Sequence, residues 1–253
     1  MSKLMSIAKY EYKMQIKRIA GWIVLLFVLV SSMMDCLPIA SNLARIEFLG
    51  DIYYYVRRVF SFDGLILLFG ILFLTAGRMV DDRKTNRRDL FMAAPIEKAS
   101  YIGGKFIGNF LFALTLMYAL LIISLAGFIL FSPTDVTVWE YVSAIFSVSF
   151  YVILPATFFV VASSIMLPEL VDIRLVYLVY SILFLINAFS TDQAGPIPFY
   201  IFTQGDLAKL IWQHPKYLEI HIGSACLNLA FMLGISALSI ILVAVKRQFW
   251  RAE

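Results

Sequence analysis

Six long runs of apolar residues alternate with shorter polar segments along the chain. They consist mainly of Leu, Ile, Val and Phe and cover residues 21–39, 63–80, 102–131, 141–167, 171–190 and 223–245. Each run is close to the roughly 20 helical residues that cross the hydrocarbon core of a bilayer. None repeats the two-residue alternation over ten-residue blocks that a membrane β-barrel requires. The pattern predicts an all-α membrane protein, with six transmembrane helices in one domain over residues 21–253.

Composition supports this class. Hydrophobic residues make up 61% of the chain and charged residues 15%, whereas soluble domains are about half apolar and a quarter charged. The formal charge is +4, but in a membrane protein the location of Lys and Arg says more than their sum. We expect contact with membrane lipids and no nucleic-acid partner.

The basic residues are unevenly distributed about the six runs. If the N-terminus is cytoplasmic, 16 of the 21 Lys and Arg residues lie on the cytoplasmic side. Cytoplasmic loops of membrane proteins carry such an excess. We therefore expect a multi-pass protein with both termini in the cytoplasm.

Residues 1–20 are typical of an amphipathic interfacial helix. At 100° per residue, one arc is mainly apolar and holds Leu4, Ala8, Tyr12, Ile16 and Ile19. Three lysines occupy the adjoining arc, where they could reach anionic headgroups: Lys9, Lys13 and Lys17. The helix is either a topology anchor or a contact for a partner.

Motifs of enzymes and of secondary transporters are missing. The chain has no GxxxxGK[ST] string and no HExxH string, so we expect no enzyme activity and no cofactor or metal in this chain. Its intramembrane candidates for ion binding, Asp35, Asp172 and Arg174, fall near the ends of predicted spans. No proton relay or cation site emerges, so the driving force for any transport has to come from another polypeptide.

Two polar segments are candidate functional regions. Residues 78–105, between the second and third spans, are rich in Arg and Lys and either bind lipid headgroups or dock a soluble partner. Residues 191–222 contain apolar stretches too short to span, within 199–212, which form either re-entrant helices or an aromatic belt. Residues 40–62 are predicted to form a surface helix on the outer leaflet.

The order of these features resembles a known family. An amphipathic helix precedes the first span, and the second span ends in Thr75-Ala76-Gly77-Arg78. The charged segment then reaches Ala94-Pro95, and a Gly104-Lys105 pair opens the third span. This layout is similar to the permease subunits of type-two ABC exporters. The identities differ in part, since Asp82-Arg83 stands where the family commonly has Glu-Arg.

The resemblance implies a permease subunit in a bacterial cytoplasmic membrane, paired with a second permease chain that is an identical copy or a paralogue. A cytoplasmic ABC ATPase dimer would bind ATP-Mg and drive export. A coupling helix at 84–93, which Pro95 would end, would dock the ATPase through Arg83, Lys84, Arg87, Arg88, Asp89, Leu90, Phe91 and Met92. Re-entrant helices would form an extracytoplasmic gate from Phe199, Tyr200, Phe202, Leu210 and Trp212.

The apolar, aromatic character of the spans favours an amphipathic or hydrophobic cargo such as a peptide, a drug or a lipid-like molecule. The alternatives are a non-transporting scaffold or immunity subunit, and a subunit that exports a lipid-linked glycan or an ion. A GxxxG spacing at Gly104 and Gly108 indicates a close helix contact, expected within one protomer.

Overall fold

The computed structural model describes residues 3–46, 48–93, 96–189 and 222–246, except for the side chain of Met92. Within these ranges the chain is helical and contains no β-strand. Twelve α-helices follow one another, and we number them in chain order: α1 Lys3–Ile16, α2 Ile19–Asp35, α3 Ala40–Arg45, α4 Ile52–Val59, α5 Leu65–Ala76, α6 Arg78–Lys84, α7 Arg87–Ala93, α8 Lys98–Phe131, α9 Val138–Val148, α10 Leu154–Met166, α11 Ile173–Phe189 and α12 Ile222–Val245.

Two pairs of these helices are joined by a π-helical turn into longer rods. Phe60–Gly64 joins α4 to α5, and Ser149–Ile153 joins α9 to α10. One rod continues through α6 and covers Ile52–Lys84, and the other continues through a 3-10 turn and covers Val138–Glu169.

Four helices in the described residues are long and apolar enough to cross a membrane: Ile52–Lys84, Lys98–Phe131, Val138–Glu169 and Ile222–Val245. They correspond to the predicted second, third, fourth and sixth spans. A fifth span results if α1 and α2, which meet at a bend of 59°, count as one. The chain is therefore an all-α protein with the helices of a multi-pass membrane protein.

The predicted first and fifth spans correspond to shorter helices. Both α2 and α11 have 17 residues, about one turn fewer than a hydrocarbon core requires. In each case the apolar run continues past the described helix. The helix α2 ends at Asp35, before Pro38, and the residues after Phe189 fall outside the described ranges.

The predicted boundary of the second span differs from the structure. Its helix begins at Ile52, not at 63, because Asp51 caps the helix by accepting a hydrogen bond from the Tyr54 amide at 2.8 Å. The outer-surface helix predicted over 40–62 is accordingly divided. Its first part is α3, and its second part, α4, buries Tyr55 and Val59 inside the bundle.

Several close helix contacts depend on glycine. A Cβ at Gly70 of α5 would lie 2.4 Å from Val24 Cγ1 of α2, and one at Gly21 would lie 2.7 Å from the Phe112 ring of α8. Glycine allows backbones to approach this closely, as is usual between membrane helices. The core around these contacts consists of Leu, Ile, Val and Phe side chains from α2, α5, α8 and α10.

Candidate functional site

One end of the bundle brings together charged residues from four segments, and we call it the charged end: residues 78–84, 98–105, 167–169 and 244–246. The Lys98 ammonium donates to the carbonyl oxygens of Ala244 at 2.6 Å and Lys246 at 2.8 Å. Lys246 in turn donates to the Glu169 carbonyl at 2.7 Å. These bonds bring together the first turn of α8, the end of α10 and the end of α12.

Beneath this surface lies a buried ion-pair network. Glu11 and Lys105 are each 1% exposed, and their side chains form an ion pair. Lys105 Nζ also lies 2.6 Å from Asp82 Oδ2. Arg78 donates to the second oxygen of Glu11 at 3.2 Å, and the Tyr101 hydroxyl donates to Asp82 at 2.9 Å.

The network balances two carboxylates against two cations, and it joins α1, α6 and α8. Buried charges are tolerated only when they are paired and hydrogen-bonded. Removal of one partner from such a pair typically costs about 3–5 kcal/mol, because the remaining charge stays buried. The three helices are therefore expected to move as one unit.

The N-terminal helix reaches the network because glycines open a groove in α8. A Cβ at Gly104 would lie 2.7 Å from Ile7, and one at Gly108 would lie 2.6 Å from the Ala8 carbonyl oxygen. The GxxxG spacing thus makes a contact within the protomer. Farther along, Gln15 donates to Asn109 Oδ1 at 2.6 Å.

This packing changes the interpretation of the amphipathic helix. The face of α1 that is buried holds Ile7, Ala8, Glu11 and Gln15, whereas the predicted apolar arc is only partly covered and Ile19 is 74% exposed. The lysines at 9, 13 and 17 are exposed, as the pattern indicated.

The segment that projects from the charged end is residues 78–93, which we call the elbow. The predicted coupling helix over 84–93 is shorter in the structure, since α6 ends at Lys84 and α7 covers only Arg87–Ala93. Asn86 between them has φ of 55°, a left-handed conformation that asparagine tolerates better than most residues and that ends a helix.

The predicted docking residues are divided between the two sides of the elbow. Five are exposed: Arg83, Lys84, Arg87, Asp89 and Leu90. Leu90 is 72% exposed and follows the exposed Asp89. Arg88 is buried, and the half-buried Phe91 packs on Tyr101 with ring centroids 5.2 Å apart. The Met92 side chain, Ala94 and Pro95 lie outside the described residues.

Two sets of ion pairs connect the first part of the elbow, residues 78–84, which we call its root, to the bundle. Arg78 and Asp82 belong to the buried network, and Arg83 lies 3.6 Å from the buried Glu169 carboxylate at the end of α10. Glu11, Lys105, Asp82 and Glu169 were not among the predicted site residues. Two of them carried a signal in the sequence. Glu11 is an acid beside the predicted apolar arc of α1, and Lys105 is a lysine inside a predicted span.

The predicted gate residues Phe199, Tyr200, Phe202, Leu210 and Trp212 lie outside the described residues, as do both histidines. Within the described ranges, no group of His, Cys, Asp and Glu side chains could hold a metal ion. Comparison with protein-family models, with curated proteins and with solved structures finds no match to this chain.

Proposed function

We propose that this chain is the permease subunit of an ATP-driven exporter of the type-two ABC class, with both termini in the cytoplasm of a bacterial cell. A separate ATPase dimer supplies the energy, and a second permease chain completes the path. The observation that carries the proposal is the elbow, whose tip exposes Leu90 amid charged residues while its root enters a buried ion-pair network.

The exposed tip has the composition of a docking site. An apolar side chain surrounded by charged ones is typical of small interfaces, in which an anchor enters a pocket and a polar rim excludes water. Leu90 is the anchor, and Lys84, Arg87 and Asp89 form the rim. Phe91, which is turned toward Tyr101, positions α7 and does not belong to the anchor.

The root of the elbow supplies the mechanical link. When the ATPase closes on ATP, it displaces the elbow, and the displacement passes from Asp82 through Lys105 and Glu11 to α8 and α1. A second route runs from Arg83 to Glu169 and α10. The ATPase can shift the equilibrium between two permease states only by the difference in its affinity for them. A rigid connection between the elbow and the membrane helices makes that affinity depend on the state of the helices.

The cargo we favour is amphipathic or hydrophobic, because the described spans contain few charged side chains away from the charged end. A non-transporting scaffold or immunity subunit is the rival. It would bind the same partner through the same tip, but the partner's ATP hydrolysis would not respond to cargo.

The double substitution Arg87→Glu with Leu90→Asp tests the proposal. The matched control is Arg174→Glu with Val171→Asp, which makes the same kinds of change at exposed positions near the start of α11. In proteoliposomes that contain the ATPase, the elbow variant should lose export and cargo-stimulated hydrolysis, while the control keeps both. Full export by the elbow variant would refute the site, and hydrolysis that never responds to cargo in the wild type would favour the scaffold.

A further inference from the structure

A carboxylate lies buried far from the charged end. Asp63 is 2% exposed and belongs to the π-helical turn Phe60–Gly64. It faces the end of α2, where the Cys36 thiol donates to its Oδ2 at 3.7 Å and the side chains of Ser31 and Ser32 lie close to it. Turns of π-helix inside α-helices occur frequently at functional sites.

No ion pair to Asp63 occurs within the described ranges, in contrast to Glu11 and Asp82. Two charged groups lie in the same region. Asp35 pairs with Arg45 at 3.2 Å, and the Arg58 guanidinium, which is close to the Cys36 thiol, lies over the Phe62 ring. The Tyr55 hydroxyl is engaged with the Ser124 carbonyl at 2.9 Å. An ionised carboxylate without a cation is costly inside a membrane bundle, whereas a neutral carboxylic acid is not.

A small pocket lies between α2, α4 and α8, on the side of Ser32. Its lining includes Ser32, Tyr55, Ser124 and Gly127. Ser32 lines the pocket and also lies close to the Asp63 carboxyl group, so it connects the two. The Ser124 side chain is buried, and its hydroxyl has no hydrogen-bond partner among the described residues, so it is able to bind a water or a hydronium ion that enters the pocket.

We propose that Asp63 is an exchangeable-proton site, which binds a proton as a neutral carboxylic acid and exchanges it with water through the pocket lined by Ser32 and Ser124. Loss of the proton leaves a buried charge that has to attract water or separate α2 from the second span. Whether Asp63 carries its proton therefore controls how tightly α2 packs against the second span. This inference does not depend on the identity of the partner or the cargo.

Dicyclohexylcarbodiimide, an apolar reagent for carboxylic acids, tests the protonated state. The acid O–H adds across a C=N bond of the reagent, the proton goes to nitrogen, and acyl transfer gives a stable N-acylurea with no leaving group. On the purified full chain in detergent, mass spectrometry should find the adduct on Asp63 and show that it declines as the pH rises. Glu11 and Asp82, which are paired with cations, should remain unmodified and serve as internal controls.

An unmodified Asp63 across the pH range in which the chain stays folded would overturn the proposal, and so would labelling that is independent of pH. Infrared spectra supply a second measurement without the reagent. A carbonyl band of a protonated acid should be present in the wild type and absent in Asp63→Asn. A wild type that lacks this band at acidic pH also contradicts the proposal, whether or not the variant folds.

The pocket is tested by the rate at which that band shifts in deuterated buffer. Gly127→Leu fills the pocket, since even a Cβ there would lie 2.8 Å from Leu37. Gly234→Leu is the matched control, because a Cβ at Gly234 has nothing within 4 Å. The shift should be several-fold slower in Gly127→Leu and unchanged in the control. An equal rate in both variants would refute the pocket as the route.

Discussion

Two buried aspartates of the second membrane helix, Asp82 in its last turn and Asp63 in its π-helical turn, have different partners. Asp82 contacts the Lys105 ammonium and the Tyr101 hydroxyl, whereas Asp63 accepts a hydrogen bond from the Cys36 thiol and lies close to two serines. The first arrangement stabilises a charge and rigidly joins three helices. The second favours a neutral acid and leaves a group that can change its state.

The largest loss of stability is expected from a substitution of Lys105, whose ammonium lies between two carboxylates. Lys105→Met keeps an unbranched side chain, shorter by one atom, but leaves Glu11 and Asp82 buried without this cation. We expect a loss of about 3–5 kcal/mol in the free energy of unfolding, measured by denaturant titration in detergent. Lys13→Met, on the exposed face of α1, is the control, and an equally small loss in both variants would contradict a buried ion-pair network.

The same substitution at each aspartate sharpens the contrast. Asp82→Asn removes a charge that Lys105 requires, and should cost about 3 kcal/mol. Asp63→Asn replaces a neutral acid by a neutral amide of the same shape, and should cost about 1 kcal/mol, the value of a hydrogen bond. The free energies of unfolding of the two variants are measured under the same conditions. The account is wrong if the Asp63 variant loses as much stability as the Asp82 variant.

The groove that brings α1 to the charged end is tested at Gly108. Gly108→Leu pushes side-chain atoms into the Ala8 backbone and the Glu11 side chain. Overpacking of this kind typically costs about 1–3 kcal/mol. The change in denaturation midpoint relative to Gly234→Leu, which has open space, measures the effect. Equal midpoints would show that α1 does not pack in this groove.

The smallest effect on stability is expected at the tip of the elbow. Leu90→Asp alters an exposed side chain, so the free energy of unfolding should change by no more than about 0.5 kcal/mol. Coupling to an ATPase should nevertheless fall. A stability loss comparable to that of Gly108→Leu would mean that Leu90 is a packing residue.

Much of the helical architecture follows from hydropathy alone. Runs of Leu, Ile, Val and Phe predicted the apolar helices, and the last helix, Ile222–Val245, matches its predicted run of 223–245 almost to the residue. Helix ends were less predictable because they depend on local chemistry, such as the Asp51 cap that moves one start to Ile52 and the left-handed Asn86 that divides the elbow.

The partners of buried charges could not be predicted, because helical periodicity gives the faces of a helix but not the helix against which each face packs. Glu11 and Lys105 are 94 positions apart and meet only because glycines admit α1 to α8. Asp63 was assigned to the start of a span, where a carboxylate reaches water, and the earlier start of the helix places it inside the bundle instead.

The central claim is that a nucleotide hydrolase acts on the elbow. Leu90→Cys, in a chain whose exposed Cys226 is replaced by Ser, allows a short thiol crosslinker to be placed at the tip in living cells. Val171→Cys, exposed beyond α10, is the control position. We predict that Leu90→Cys captures an ATPase identified by its nucleotide-binding motif and that the control position does not. Capture of no ATPase at Leu90, or equal capture at both positions, would contradict the account.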